Sequence, residues 1–232
     1  MLGRLVALEA PTECDFITVA EWLAPTSAVT VLTGDSRERV TADGLSAAHR
    51  DGSIDFWMVR PLTGTDGDRR HVGVVNSRRV GGAGTFTIGG AVADPGRWSQ
   101  GLGAEAFGLL VDHLFLQQCA HRVQFQTALY NRGMIEMLTR GGFVLEGILR
   151  DHHFLDGDYH DATIWSILRA EFESHTADPR NRALYPVTES VEADDKRRAV
   201  KAMTDYLDRA AGARAVTSWN SFVTRSESRR AV

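Results

Sequence analysis

The feature that most limits how this chain can fold is a change of period around a cluster of glycines. Three alternating runs, 54-IDFWMVR-60, 71-HVGVVNSRRV-80 and 85-TFTIGGAV-92, follow one another with turn-forming residues between them, which predicts three consecutive antiparallel strands. The segment 94-DPGRWSQGLGAEA-106 then leads into a helix with Ala104, Phe107, Gly108, Val111, Leu114 and Phe115 at i, i+3, i+4 spacing. A helix N-terminus carries about half a positive elementary charge and several unpaired N–H groups, so it binds phosphate oxygens without a basic side chain. Gly101 and Gly103 remove the Cβ atoms that would obstruct such an approach, and the small Ala104 continues the clearance. The segment is not a dinucleotide fingerprint. It lacks the third glycine, and its strand closes a meander instead of opening a βαβ unit.

The rest of the chain fits round this centre. A strand near Leu5–Leu8 precedes an amphipathic helix from Thr12 to Leu23 with Thr12 as N-cap, and a further helix is expected over Arg37–Arg50. After the central helix come a strand at 122-RVQFQTA-128, a short helix from Asn131 to Arg140 stopped by Gly141-Gly142, and two strands, 143-FVLEGILRDHHF-154 and 159-YHDATIWSIL-168, round an Asp156-Gly157 turn. The expected class is α+β, a mixed and mostly antiparallel sheet flanked by helices. Residues 1–172 are read as one domain and 173–232 as a helical tail. In that tail a helix over about Asp194–Ala211 carries an apolar stripe of Ala199, Val200, Met203, Tyr206, Leu207 and Ala210, with Gly212 past its end. Packing of the stripe on its own body and homodimerisation through the tail both fit. Trp219, Phe222 and Val223 add a smaller apolar patch, and Lys196–Arg198 and Arg229-Arg230 add basic groups.

Charge narrows the partners. Residues 1–172 hold 15 basic and 21 acidic side chains within a chain of net charge -4, so the body repels phosphate backbones and suits an amine-bearing substrate better than nucleic acid. No apolar run approaches the roughly 18 residues of a membrane span, and Met1–Glu9 lacks the layout of a signal peptide, so a soluble cytoplasmic protein is expected. Cys14 and Cys119 are isolated and are expected to be buried thiols.

The stretch 98-WSQGLGAEA-106 resembles the acyl-CoA pyrophosphate loop of the GNAT acetyltransferase superfamily. The closing region 131-NRGMIEMLTRGGFVLEGILRDHHFLDGDYHDATIWSIL-168 is similar to the branch that acetylates ribosomal-protein N-termini, and the likeness spans about residues 4–172. The resemblance implies the GNAT fold and acetyl-CoA as co-substrate. It places the pyrophosphate on the amides of Gln100, Gly101, Leu102, Gly103 and Ala104, next to Trp98, with the pantetheine arm beside the strand from Ile88 to Val92 and in contact with Asn131. It implies acyl transfer to a primary amine, of a peptide N-terminus or of a small aminated metabolite.

The family's proton donors, a serine three residues after the Asn or a tyrosine seven after it, fall here on Met134 and Leu138, and the carboxylate of some relatives falls on Gln126. Where the ribosomal-protein branch has a glutamate base this chain has His153, whose imidazole can serve as base at neutral pH. A two-residue turn sets His153 opposite His160 and His152 opposite Asp161. No metal site is expected, because a third fixed ligand is missing. Trp57, Trp98 and Trp165 are expected in the core, and Glu146 in a structural hydrogen bond. Two other readings stay open: an acyl-CoA-binding sensor or scaffold without turnover, and a transferase using a carrier-bound or tRNA-bound acyl donor.

Overall fold

The alternating runs become strands of a single seven-stranded sheet. The computed structural model describes residues 1–25, 27–33, 40–62, 70–82, 84–98, 100–181 and 192–207. The strands are β1 (Val6–Glu9), β2 (Asp55–Pro61), β3 (Gly73–Arg79), β4 (Thr85–Val92), β5 (Arg122–Ala128), β6 (Val144–Leu155) and β7 (Asp158–Leu168), in the spatial order β1-β2-β3-β4-β5-β7-β6. Every neighbouring pair is antiparallel except β4 and β5. That parallel pair spans only Thr85↔Arg122, Phe86↔Val123 and Thr87↔Gln124. Beyond it β4 remains on β3 as far as Val92 and β5 remains on β7 as far as Ala128, so two strand edges diverge with a wedge between them.

Alternation sends one set of side chains to each face of the sheet. On one face Val59, Val75, Phe86, Ile88, Val123, Phe125, Trp165 and Ile167 pack beneath α4 (Leu102–Leu116), with Phe107 of the helix edge-on to Phe125. On the other face Phe56, Met58 and Val74 of β2 and β3 meet Phe16, Val19 and Leu45 from α1 (Glu13–Trp22) and α3 (Ala42–Arg50). Thr12 opens α1 through a capping box, its backbone N–H and hydroxyl both donating to Asp15 Oδ2 at 2.7 and 2.6 Å. In α3 the Thr41 hydroxyl accepts from Gly44 N–H at 3.2 Å, so within the described part of the expected Arg37–Arg50 helix the first residue is Ala42. Arg37–Arg39 lie outside the described residues.

A short helix, α2 (Ala28–Thr33), has no counterpart among the expected elements. Its sequence AVTVLT is β-branched and reads as strand, but local side-chain bonds decide otherwise. The Ser27 hydroxyl accepts from Thr30 N–H at 3.1 Å, and the Thr30 hydroxyl donates to Ala24 O at 2.6 Å. The remaining helices of this unit are α5 (Arg132–Arg140) and α6 (Arg169–Ala177). Phe172 of α6 stacks on Phe115 of α4 with centroids 4.4 Å apart.

The chain divides into two units, Met1–Pro186 and Val187–Val232. In the second, α7 (Ala193–Leu207) begins with Asp194 and Asp195, which pair with Arg197 and Arg198 one turn on. Ala210, Gly212, the Trp219–Phe222–Val223 patch and Arg229-Arg230 lie outside the described residues. Cys14 and Cys119 are both exposed, contrary to the expectation of buried thiols; Cys119 sits with φ 54° in the turn after α4, where a side chain faces out. Trp165 is buried in the core and Trp57 half-buried against it. Among the described residues no helix is long and apolar enough to cross a membrane.

At the end of β1, His71 bonds a carboxylate with each ring nitrogen, Asp15 Oδ1 at 2.8 Å and Glu9 Oε2 at 3.2 Å, while Arg60 donates to Glu9 Oε1 at 2.7 Å. Burial alone would raise both carboxyls. For Glu9 the Arg60 and His71 bonds and charges outweigh it, and for Asp15 the Thr12 and His71 bonds do, so both are held below their ordinary values of 4.5 and 3.8. Depressed carboxylates stabilise the fold above their unfolded-state values and lose that contribution as pH falls through the folded-state ones. The stability difference between wild type and His71→Gln, measured by urea unfolding, should therefore be full near pH 5 and shrink toward zero as pH falls below about 4. A difference that stays constant across that range would contradict the network.

Candidate active site

The wedge between β4 and β5 opens into a cleft of about 810 Å³ that runs between α4 and α5. Its walls include Val92, Trp98 and Gly101 to Ala104 on one side and Tyr130, Asn131 and Met134 on the other. Val29 of α2 and His175 of α6 also reach it. Cavities of a few hundred to about a thousand Å³ are the usual size for small-molecule sites.

The start of α4 is built to leave its backbone accessible. Gly101 is the N-cap with φ 82°, a left-handed conformation that disfavours a side chain, and no side chain caps the helix. The N–H groups of the first turn have no partner within a helix, and among the described residues no capping side chain replaces one. By contrast α3 and α5 are capped by Thr41 and Asn131. A Cβ at Gly103 would lie 3.5 Å from Val92 Cγ2, ordinary contact, so the protein's own packing does not require glycine there. The Trp98 indole N–H donates to Val92 O at 2.8 Å and ties the 3-10 turn Pro95–Arg97 back to the end of β4. The helix itself is fixed by Glu105, whose Oε1 accepts from the N–H groups of Arg4, Leu5 and Val6 at 2.5, 2.6 and 3.2 Å.

Of the expected cofactor-side residues, Val92, Trp98, Gly101, Leu102, Gly103, Ala104 and Asn131 line the cleft and Gln100 does not. Leu102 is buried in the core and also lines the cleft. The Gln100 side chain donates to Gly96 O at 3.0 Å. Asn131 caps α5, its Oδ1 accepting from Met134 N–H at 3.2 Å. Gly89-Gly90 has an internal reason as well as an edge position. A Cβ at Gly90, whose φ is 146°, would lie 2.4 Å from Val74 O, so this glycine lets β4 hug β3 where β5 departs.

The histidine cluster sits on the β6–β7 hairpin. Asp156 and Gly157 both have positive φ, 54° and 90°, as a two-residue hairpin turn requires, and His153 pairs with His160 as the spacing predicts. His152 does not face Asp161 as a straight register would have it. The register shifts between Leu149 and His153, Asp151 takes φ 53°, and the Asp161 carboxylate accepts the Asp151 N–H at 2.9 Å. His152 turns instead to Gln126 of β5, whose amide donates to its Nε2 at 2.9 Å. His153 is 9% exposed, and neither it nor His152 lines the cleft. Tyr130, which does, sets its ring edge-on to His153 and His160 with centroids 6.3 and 5.3 Å away. The Tyr130 hydroxyl donates to Val31 O at 2.9 Å, and burial, with the Asp156 charge, pushes it above its ordinary value. Leu138 is fully buried, and Met134 lines the cleft. Glu146 accepts from Arg122 at 2.8 Å and from the Ser166 hydroxyl, which together hold it below the usual carboxylate range in a structural role. Among the described residues no three His, Cys, Asp or Glu side chains form a group that could hold a metal ion.

Sequence reasoning did not single out Tyr130, Arg97, Arg132 or Arg140 as cleft residues. Tyr130 stands directly before the α5 N-cap, a signal that could have been read; the arginines become neighbours only when the loop before α4 faces α5.

The acetyltransferase (GNAT) domain model matches residues 5–144. The chain belongs to the GNAT acetyltransferase family. As a member it is an N-acetyltransferase, with acetyl-CoA as co-substrate. Solved structures with the same fold include a spermidine N-acetyltransferase from Vibrio cholerae in complex with CoA and spermine, at TM-score 0.61 and 17% identity, covering 73% of this chain and 98% of that one. A ribosomal-protein-S5-alanine acetyltransferase from Vibrio fischeri matches at TM-score 0.60 and 16% identity, covering 74% and 97%. A search of curated proteins finds no match.

The two loop glycines should separate in a stability measurement. Gly101→Ala should cost about 1–2 kcal/mol, because it forces a side chain into the left-handed region. Gly103→Ala should leave stability unchanged or raise it by up to about 1 kcal/mol. Equal losses in chemical unfolding would contradict the reading that packing does not require glycine at position 103.

Proposed function

We propose that this GNAT acetyltransferase acetylates a primary amine, carried by a peptide N-terminus or a small aminated metabolite, and holds acetyl-CoA in the wedge between β4 and β5. The observation that carries the reading is the uncapped, glycine-cleared start of α4 at the mouth of that wedge. Two oxygens of a pyrophosphate can take the free amides of Gly101 to Ala104, and Val92 and Trp98 flank them. The diverging edges of Ile88–Val92 and of the end of β5 offer main-chain partners to the amides of a pantetheine arm, in the manner of a missing strand. Acetyl-CoA supplies the activated thioester. The chain's part is to hold it, to exclude water, and to accept a proton from the amine, for which the imidazoles of the β6–β7 hairpin are the available groups.

With methionine at position 134 and leucine at 138, no side chain at either position can protonate the leaving thiolate, so solvent does so and most of the acceleration comes from positioning. The acidic body favours a cationic amine. Spermidine and an alanine-initial peptide are the first acceptors to test, because they match what two similar structures are named for acting on.

Calorimetric titration should show micromolar acetyl-CoA binding by wild type and none by Gly103→Glu, whose carboxylate would fill and repel the anion's place. Free thiol should appear only when an amine is added. Binding that survives Gly103→Glu would contradict the cradle, and binding without thiol release for any amine would favour an acyl-CoA sensor.

A further inference from the structure

Gln126 stands on β5 just past its divergence from β4, outside the lining of the cleft. Gln124 is the last residue of β5 paired with β4, and Gln126, two residues on and therefore on the same face, is the first past the point of divergence. Its neighbour Phe125 packs on Phe107 of α4, so Gln126 projects from the face opposite that helix. An amine entering from that face would meet a thioester held in the wedge beside this side chain. An amide cannot take the amine's proton, but what it holds can.

The chain goes to some length to bring His152 there. Three residues of β6, Arg150 to His152, stand opposite Asp161 alone, and the bulge is set by a non-glycine residue with φ 53°, Asp151, whose N–H is fastened by the Asp161 carboxylate. Bulges of this kind re-aim one side chain beside an active site. Here the re-aimed ring is His152, which reaches over β7, takes the Gln126 amide at Nε2, and rests edge-on against His153 with centroids 4.8 Å apart. His152 is exposed to the open face, whereas His153 behind it is buried.

We propose that His152, aimed by the Asp151–Asp161 bulge and held by Gln126, is the catalytic base that accepts the proton of the acceptor amine, with His153 as a positioning residue behind it. The inference rests on the acetyltransfer reading above. In the step, the amine nitrogen attacks the thioester carbonyl carbon, the C–N bond forms, and the C–S bond breaks with its electron pair leaving on sulfur. The Gln126 amide gives up His152 Nε2, and the lone pair so freed takes the N–H proton. Solvent protonates the thiolate, and the imidazolium returns its proton to solvent. Gln126 suits both states of the ring, since its amide donates to the neutral Nε2 and, turned over, accepts from Nε2–H through its oxygen. A carboxylate in its place could only accept. The charged and titratable groups around His152 are Arg150, Asp151 and His153 on its own strand, His160 and Asp161 on β7, and Tyr130 before α5.

The test uses the full chain with spermidine and the alanine-initial peptide as acceptors. His152→Gln should lower kcat by about 10²–10⁴-fold, leave the acetyl-CoA Kd within about twofold, and remove the acid limb of the kcat–pH profile, with added imidazole restoring part of the rate. Ring-nitrogen NMR of the ligand-free protein should show His152 as the Nδ1–H tautomer in wild type and a mixture in Gln126→Ala. A His152→Gln enzyme with wild-type kcat and an unchanged acid limb would overturn the assignment, as would a His152 tautomer indifferent to Gln126. Wild type that binds acetyl-CoA yet acetylates no amine would overturn the underlying reading, and the proposal with it.

Discussion

The short life of the β4–β5 pairing is the constraint on which the site depends. Parallel neighbours in a sheet normally satisfy each other's backbone groups along their length, and unsatisfied ones are expensive when buried. Here the ladder stops after Thr87 and Gln124 while both strands continue against their other neighbours. Gly90 makes the divergence tolerable by letting β4 lie closer to β3 than any side chain would allow. The result is a slot of main-chain donors and acceptors inside a sheet, which water or a flexible amide-bearing ligand can fill.

What surrounds the slot follows from it. Helix α4 starts at its upper end, and its direction is fixed by Glu105, whose carboxylate gathers three amides from the first strand's approach and so ties the N-terminal segment to the helix. That bond leaves the helix start itself to glycines. Tyr130, which lines the cleft, packs edge-on against His153 and His160 of the β6–β7 hairpin, and His152 packs edge-on against His153. In the proposed reading cofactor and acceptor approach from different sides, and the divergence of two strands is where they meet. Charge along the cleft is mixed: Arg97, Arg132 and Arg140 line it together with Asp112 and Glu136, and Arg132 pairs with Glu136.

Much of this was legible in the residues. The α4 pattern, the glycines before it, the Asp156-Gly157 turn and the alternating strands all rest on local periodicity and turn chemistry, which survive folding unchanged. Helix α2 was not legible, because Val29, Thr30 and Val31 favour extended backbone and only the Ser27 and Thr30 hydroxyls reveal the turn. Neither was the aim of His152. Counting back from the turn assumes an unbroken ladder, and a bulge held by one left-handed aspartate shifts every later side chain. The loss of β4–β5 pairing is likewise invisible locally, since it depends on partners distant in sequence.

The most direct measurement of the central claim is a crystal structure of the full chain with CoA. The account predicts pyrophosphate oxygens on the amides of Gly101 to Ala104 and the pantetheine arm lying between the edges of Ile88–Val92 and the end of β5, with its sulfur toward Gln126. CoA bound elsewhere, or a wedge closed by renewed β4–β5 pairing, would contradict it.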